Sequence, residues 1–145
     1  MSVQTIAIGC DHAGFTLKEY LRTYILSKGY NVQDEGCYSE ERADYPDHAH
    51  KVATDVLENK ALLGILICGS GNGINMAANK HKGIRSALCW NHEIAQMARQ
   101  HNDANIMALP GRYISQDEAC KCVDAFLSEK FEGGRHADRI KKIDC

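Results

Sequence analysis

The residues best suited to do chemistry are Cys68 and the glycine-rich turn after it, Gly69-Ser70-Gly71-Asn72-Gly73. Residues 62–68 are apolar throughout and predict a buried strand, and a short helix is predicted over residues 74–80. A turn that opens a helix presents free backbone N–H groups, which bind anions and favour the thiolate form of a nearby cysteine. Cys68 could therefore act as a nucleophile or as a general base beside an oxyanion site.

The glycine turn does not match the nucleotide-binding motifs. Ile74 stands where a dinucleotide fingerprint needs its last glycine, and the ending of a P-loop is absent. From the glycines alone, an anion cradle and a plain strand-to-helix turn fit equally well. A buried apolar role is the simpler interpretation of a free cysteine. We adopt it for the six others, which are Cys10, Cys37, Cys89, Cys120, Cys122 and Cys145.

Two histidines stand beside polar residues at the ends of predicted elements. His12 follows Asp11 at the end of a strand, and His101 precedes Asn102 at the end of a helix. Each could serve in acid–base chemistry or simply be a satisfied side chain. No CxxC or HExxH spacing is present, so we expect no zinc site. The histidines without a partner pattern are expected to be solvated: His81, His92 and His136.

Strands and helices alternate about five times along the chain. Strands are predicted over residues 5–10, 31–35, 62–68, 85–89 and 106–109, and amphipathic helices follow them. Such alternation predicts an α/β fold with a parallel sheet and helices on both faces. Ligands bind such sheets beyond the carboxyl ends of the strands. Asp11, Cys68 and Arg112 all stand at predicted strand ends, and the tail from residue 135 to 145 is expected to be helical.

Composition excludes several classes of function. The chain has 145 residues, a net charge of −2 and scattered Lys and Arg, so nucleic acid and anionic membranes are not expected as partners. The longest apolar run, residues 61–67, is too short to span a bilayer. We expect one domain over residues 1–145. Seven cysteines without a visible signal peptide suggest free thiols and a cytoplasmic location.

Five segments together resemble the ribose-5-phosphate isomerase B (RpiB/LacAB) family. They are Gly9-Cys10-Asp11-His12-Ala13-Gly14-Phe15, Asp44-Tyr45-Pro46, Ile67-Cys68 with the glycine turn, Arg99-Gln100-His101-Asn102-Asp103-Ala104-Asn105, and Glu132-Gly133-Gly134-Arg135-His136. The resemblance covers essentially the whole chain. It implies a Rossmann-like three-layer sandwich with a five-stranded parallel sheet. It also implies a homodimer or tetramer with the active site at the subunit interface, a C-terminal helix packed on a partner, and no cofactor or metal.

The resemblance also implies a reaction, the interconversion of D-ribose 5-phosphate and D-ribulose 5-phosphate through an enediolate. Cys68 would be the base, Ser70 would help to move protons, His101 would open the sugar ring, and Asp11 would hold the ring-oxygen region. The turn would stabilise the oxyanion through Gly69, Gly71, Asn72 and Gly73. The remaining implied ligands are Tyr45 and Asn102 for hydroxyls, and His12, Arg112, Arg135 and Arg139 for the phosphate.

Other functions remain open on the sequence. Galactose 6-phosphate and allose 6-phosphate are alternative substrates within the same group, and a non-catalytic sugar-phosphate sensor is an alternative class. A thiol-redox protein is weakened by the absence of CxxC and of an obvious resolving partner for Cys68. Arg135 and Arg139, taken alone, also fit a solvated basic tail. Trp90 fits either a pocket rim or an interface.

Overall fold

The computed structural model describes residues 2–145. Its five strands are β1 (Thr5–Cys10), β2 (Asn31–Asp34), β3 (Leu63–Cys68), β4 (Ser86–Leu88) and β5 (Ile106–Pro110). Its six α-helices are α1 (Phe15–Ser27), α2 (Tyr45–Leu57), α3 (Asn72–Ala78), α4 (His92–Asn102), α5 (Gln116–Ser128) and α6 (Arg135–Ile140). No helix within residues 2–145 is long and apolar enough to cross a membrane.

All five strands form one parallel sheet in the order β2-β1-β3-β5-β4. The predicted α/β architecture is therefore confirmed. The register pairs Cys10 with Ile67 and Cys68 with Pro110. The carboxyl ends of β1, β3 and β5 consequently lie side by side at one edge of the sheet, where ligands bind in folds of this kind.

Each face of the sheet has its own apolar core. The core under α1, α4 and α5 includes Leu21, Ile25 and Phe126, all fully buried. The core under α2 and α3 includes Val52 and Ile74, also fully buried. Helices on both faces leave β3 buried along its whole length, which is why its sequence is apolar without alternation.

The helix ends follow local chemistry. Pro46 lies in the first turn of α2 as predicted, where its missing N–H costs nothing. The Ser115 hydroxyl accepts a hydrogen bond from the Glu118 N–H at 3.1 Å and caps α5. Two predicted boundaries were wrong. Helix α3 begins at Asn72 rather than at residue 74, and the C-terminal helix ends at Ile140 rather than at residue 145.

A buried ion pair fixes the segment after β2. The Lys18 ammonium is fully buried and donates to both carboxylate oxygens of Asp34, at 2.8 and 2.7 Å. Asp34 also accepts from the Gly36 N–H at 2.9 Å. Burial alone would lower the pKa of Lys18, but the hydrogen bonds to Asp34 and Glu19 raise it above its ordinary value. The pair therefore stays charged and holds the start of the loop that leads to α2.

A second buried polar group, Asp55 on α2, lies beside Glu35. Its side chain is 7% exposed, and among the described residues its Oδ2 atom has no hydrogen-bond donor. Burial and a hydrogen bond to Glu35 raise the pKa of Asp55 from 3.8 to about 7. A proton on Asp55 completes the hydrogen bond to Glu35. The native state therefore keeps this proton over a range of pH in which the unfolded chain releases it.

We predict that this proton makes stability depend on pH. Because the native pKa of Asp55 is raised, the stabilisation is present at low pH and is lost as the pH rises from about 4 to about 7. The slope should be on the order of 1 kcal/mol per pH unit. Asp55→Asn, which is neutral at every pH, should flatten it. Urea unfolding at several pH values measures this, with the exposed Glu41→Gln as control. An unchanged slope in Asp55→Asn would contradict the assignment.

Candidate active site

Three strand ends meet at the carboxyl edge of the sheet and are joined by backbone hydrogen bonds. The Asp11 N–H donates to the Ile67 carbonyl at 3.2 Å, which ties the end of β1 to β3. The Gly111 N–H donates to the Cys68 carbonyl at 2.8 Å, which ties β3 to the end of β5. Asp11, Cys68 and the residues after β5 are therefore neighbours, as the sequence predicted.

Cys68 is the last residue of β3 and opens directly onto the glycine turn. It is buried with 5% exposure, against the core under α2 and α3. Gly71 precedes α3 with a left-handed φ of 79° and, as a glycine, offers no side chain to cap that helix. The Ser70 hydroxyl accepts from the Asn72 N–H at 3.2 Å. The remaining N–H groups at the start of α3 can therefore face an anionic ligand beside Cys68.

Two glycines of the turn are required by close packing. A Cβ atom at Gly71 would lie 2.5 Å from the Leu88 side chain, and the positive φ would strain any other residue. A Cβ atom at Gly73 would lie 2.6 Å from the Tyr45 ring. The first residue of α2, Tyr45, thus lies against the turn, with its ring 40% exposed. Tyr45 therefore lies beside the turn that follows Cys68.

The loop after β1 is fixed by its own side chains. Asp11 Oδ1 accepts from the N–H groups of Ala13 and Gly14, at 2.9 and 3.2 Å, and so caps a 3₁₀ turn over His12–Gly14. His12 Nδ1 lies 3.2 Å from the Ala43 nitrogen. Its other ring nitrogen, Nε2, is therefore turned away from that backbone. The segment before α2 and the loop after β1 are held together at the same edge.

Arg112, which follows β5, also lies against the glycine turn. Its N–H donates to the Gly69 carbonyl at 3.0 Å, and its Nη1 atom would lie 3.2 Å from a Cβ at Gly69. The guanidinium is exposed and covers the beginning of the turn. A side chain at position 69 would push this guanidinium away by a few tenths of an ångström, whereas glycine lets it lie close to the backbone, where a phosphate could reach both groups.

The other predicted site residues form a second group. His101 and Asn102 complete the last turn of α4, and Arg135 and Arg139 lie exposed on α6. The expectation that His136 is solvated was wrong. Its side chain is 14% exposed, and its ring stacks on that of His101 with centroids 4.4 Å apart.

The expectation also missed partners for the other two histidines. His81 Nε2 lies 2.7 Å from the Nδ1 atom of His50. His92 Nδ1 lies 2.7 Å from the Glu118 carboxylate. Glu118 therefore binds His92 and not the backbone of Ser115, so Ser115 caps α5 without the return hydrogen bond that would complete a capping box.

The two groups lie at opposite edges of the sheet. Arg85, just before β4, donates to the carbonyls of Asn102 and Asp103 at 3.0 and 2.9 Å, so the end of α4 is at the amino edge. Gly64, near the start of β3, binds the carbonyl of Asn105 at 2.9 Å. Cys68 is four residues further along β3, about 13 Å away at the usual rise per residue. One chain therefore does not bring His101 to Cys68.

Comparison with known proteins identifies the family. The sequence pattern described as Ribose/Galactose Isomerase matches residues 6–143. The chain belongs to the ribose/galactose isomerase family. A relative, ribose-5-phosphate isomerase B of Escherichia coli K12, is 45% identical over 141 residues, covering 97% of this chain and 95% of its own.

Solved structures of family members have the same fold. A ribose-5-phosphate isomerase B of Thermotoga maritima superposes with a TM-score of 0.96 at 54% identity, covering 97% of each chain. The enzyme of Mycoplasma genitalium with bound ribulose-5-phosphate gives a TM-score of 0.93 at 46% identity, covering 99% of this chain and 95% of its own. The Rossmann-like prediction is confirmed by these family structures.

Sequence reasoning did not identify every polar group at the two edges. Glu132 lies beside both stacked imidazoles, with Oε1 3.7 Å from His101 Nε2 and 3.8 Å from His136 Nε2. Its place in the segment with Arg135 was the available signal, but no role had been assigned to it. At the carboxyl edge, Trp90 and Tyr113 are 55% and 77% exposed and follow β4 and β5.

A cavity of about 470 Å³ lies elsewhere, beside the C-terminus, and contains none of the predicted site residues.

We predict that Gly71→Ala destabilises the fold more than Gly29→Ala. Both glycines have a left-handed φ, but a Cβ at Gly29 meets nothing within 4 Å whereas one at Gly71 meets Leu88 at 2.5 Å. Gly29→Ala should cost about 1 kcal/mol of unfolding free energy from strain alone. Gly71→Ala should cost about 3 kcal/mol because overpacking is added. Urea unfolding measures both, and equal losses would show that the turn is not tightly packed.

Proposed function

We propose that the chain interconverts D-ribose 5-phosphate and D-ribulose 5-phosphate. The observation that carries the proposal is the position of Cys68 at a strand end, beside the glycine turn that opens α3. An enediolate intermediate needs a base and an oxyanion site side by side, and this edge supplies both. The similarity to ribose-5-phosphate isomerase B of E. coli and to the ribulose-5-phosphate complex from M. genitalium supports the substrate.

Cys68 acts as the base that moves a proton between C2 and C1. Some family members lack the cysteine and use a glutamate just after the glycine turn. Ile74 stands at that position here, and its buried aliphatic side chain offers no alternative base. Backbone N–H groups of residues 69–73 hydrogen-bond the developing oxyanion, a contact worth about 2.7–4 kcal/mol per donor. The Ser70 hydroxyl accepts from the backbone, so its own proton is free to be donated to a substrate oxygen.

The phosphate and the hydroxyl groups are bound by the remaining site residues. Tyr45 and Asn102 bind hydroxyls, and His101 opens the furanose ring with Asp11 at the ring oxygen. Asp11 can do this through Oδ2, because Oδ1 is engaged by two backbone N–H groups. Charge-assisted hydrogen bonds hold the phosphate. They come from His12, Arg112, Arg135 and Arg139.

The complete site is shared between two copies of the chain in a homodimer. His101 and the α6 arginines lie at the amino edge, so they reach the Cys68 edge only if they come from a partner subunit. Helix α6 has no buried residue in the single chain, which leaves its surface available for packing against that partner. Exposed Trp90 and Tyr113 at the Cys68 edge offer the aromatic surface that interfaces favour.

The reaction needs no nicotinamide cofactor, because proton transfer between neighbouring carbons involves no external electron acceptor. We expect no metal either, since Cys68 supplies the base and the backbone N–H groups of the turn supply the oxyanion site. We place the enzyme in the cytoplasm and in the pentose phosphate pathway. The free state of all seven cysteines fits a reducing compartment.

We predict that the wild-type chain converts ribose 5-phosphate without added metal or nucleotide and that Cys68→Ala loses nearly all activity. The loss in kcat/KM should be on the order of 10²–10⁴-fold, since a positioned base is removed. Ketose formation measured by absorbance tests this. Cys145→Ala is the matched control, because that thiol is exposed and remote.

Each alternative outcome identifies what is wrong. Full activity in Cys68→Ala with retained fold would keep the isomerase but reject the base. Activity of the wild type on galactose 6-phosphate or allose 6-phosphate alone would reject the five-carbon substrate. Tight binding of ribose 5-phosphate without turnover of any of these sugars would favour a sensor.

We further predict that two variants, each inactive alone, recover isomerase activity when they are mixed. Cys68→Ala and His101→Ala, refolded together, form mixed dimers in which one site carries both changes and the other carries neither. Random association should therefore return about a quarter of the wild-type activity. Each variant refolded alone is the control and should stay inactive. No recovery in a mixture that contains mixed dimers would contradict the shared site.

A further inference from the structure

We propose that His101, Glu132 and His136 form a binding site for a divalent transition-metal ion, with zinc as the best fit. No metal has been assigned to this chain by its sequence or its family. The three side chains are separated by up to 35 residues in sequence and meet where the end of α4 contacts α6.

The geometry suits a metal with a small coordination number. One ligand atom from each residue lies within 4.8 Å of the others, and the carboxylate oxygen is 3.7 and 3.8 Å from the two Nε2 atoms. Zinc bound at 2.0–2.2 Å places neighbouring tetrahedral ligands about 3.3 Å apart. The two rings stack with an angle of 11° between their planes, so one imidazole must turn before both in-plane lone pairs reach one ion. His101, which is 40% exposed, is the ring with room to turn, and a fourth position stays open for water.

The chemistry of the donors points to the same class of ion. Two imidazoles and one carboxylate suit zinc, nickel and copper, whereas calcium and magnesium prefer an all-oxygen set. The His136 side chain is 14% exposed and its ring stacks on that of His101, which holds both imidazoles beside the Glu132 carboxylate. A backbone hydrogen bond of 3.0 Å from the Glu132 N–H to the Gln100 carbonyl holds the carboxylate near α4.

The surrounding charge limits the affinity. Arg135 and Arg139 act on His136 as like charges, and they disfavour a cation at the same place. Glu132 offsets one of these charges. We therefore infer an exchangeable site that fills when free zinc is raised, and not a closed structural site of the four-ligand kind.

Zinc bound at this site should change the isomerase activity. This expectation rests on the role proposed for His101. A metal on Nε2 removes the ring-opening imidazole from acid–base chemistry. Zinc should therefore inhibit the enzyme reversibly and in competition with ribose 5-phosphate. The binding itself does not depend on the proposed function.

Calorimetric titration of zinc chloride into the metal-free, full-length protein tests the site. Glu132→Gln and His136→Gln should each weaken zinc binding by about tenfold or more, since losing a ligand costs at least as much as losing the support of one. His81→Gln is the matched control, because His81 and His50 form the chain's other close imidazole pair. Cys68→Ser controls for zinc on the thiolate, and both controls should bind as the wild type does.

Each result decides the question. Absence of zinc binding in the wild type, unchanged affinity in Glu132→Gln or His136→Gln, or loss of binding in His81→Gln or Cys68→Ser would overturn the proposal. Glu132 is more than half exposed, so Glu132→Gln should fold normally and keeps the test independent of His136. Zinc binding in the expected pattern by a chain without isomerase activity would uphold the metal site and reject the proposed function. Saturation with zinc that leaves isomerase activity unchanged would reject the inhibitory role.

Discussion

The parallel direction of the five strands is the constraint on which the site depends. It brings every strand's carboxyl end to one edge, and each connecting helix must then return the chain to the other edge. Cys68, the glycine turn and Arg112 lie at or just after the ends of strands, so the sheet itself brings them together. His101 ends a helix, so the same topology carries it away from them. The separation of the proposed site residues within one chain is thus a direct result of the fold.

Close approach of neighbouring elements at two glycines sets how tightly the layers pack. Gly64, near the amino end of β3, lets α2 pack so near that a Cβ there would lie 2.6 Å from the Val52 side chain. Gly14 lies after β1 at the carboxyl edge, where a Cβ would lie 2.6 Å from the Ile67 carbonyl. These contacts hold α2 and the loop after β1 close against the sheet. Glycine is needed because any side chain would push these elements apart, at a cost typical of overpacked cores.

Periodicity accounts for what could be predicted from the sequence. Strong apolar runs located β1 and β3 to within one residue, and amphipathic stripes located α1, α2 and α5. The start of α3 was missed because it depends on the backbone conformation of Gly71, which residue type alone does not determine. The contact between His101 and His136 was missed for a different reason. It joins residues 35 positions apart, and only the packing of α6 on α4 creates it.

The exposure of Arg135 and Arg139 is best understood through the cost of burying charge. A guanidinium buried without a partner is strongly destabilising, so a chain that must fold before it meets substrate keeps such groups in solvent. In the proposed homodimer a partner's Cys68 edge covers α6, so the two cations would face His12 and Arg112 across the cleft, and like charges would gather there. A dianionic phosphate relieves that repulsion and gains charge-assisted hydrogen bonds from each group. Phosphate binding and closure of the shared site therefore stabilise one another, which favours a sugar that carries the phosphate over one that lacks it.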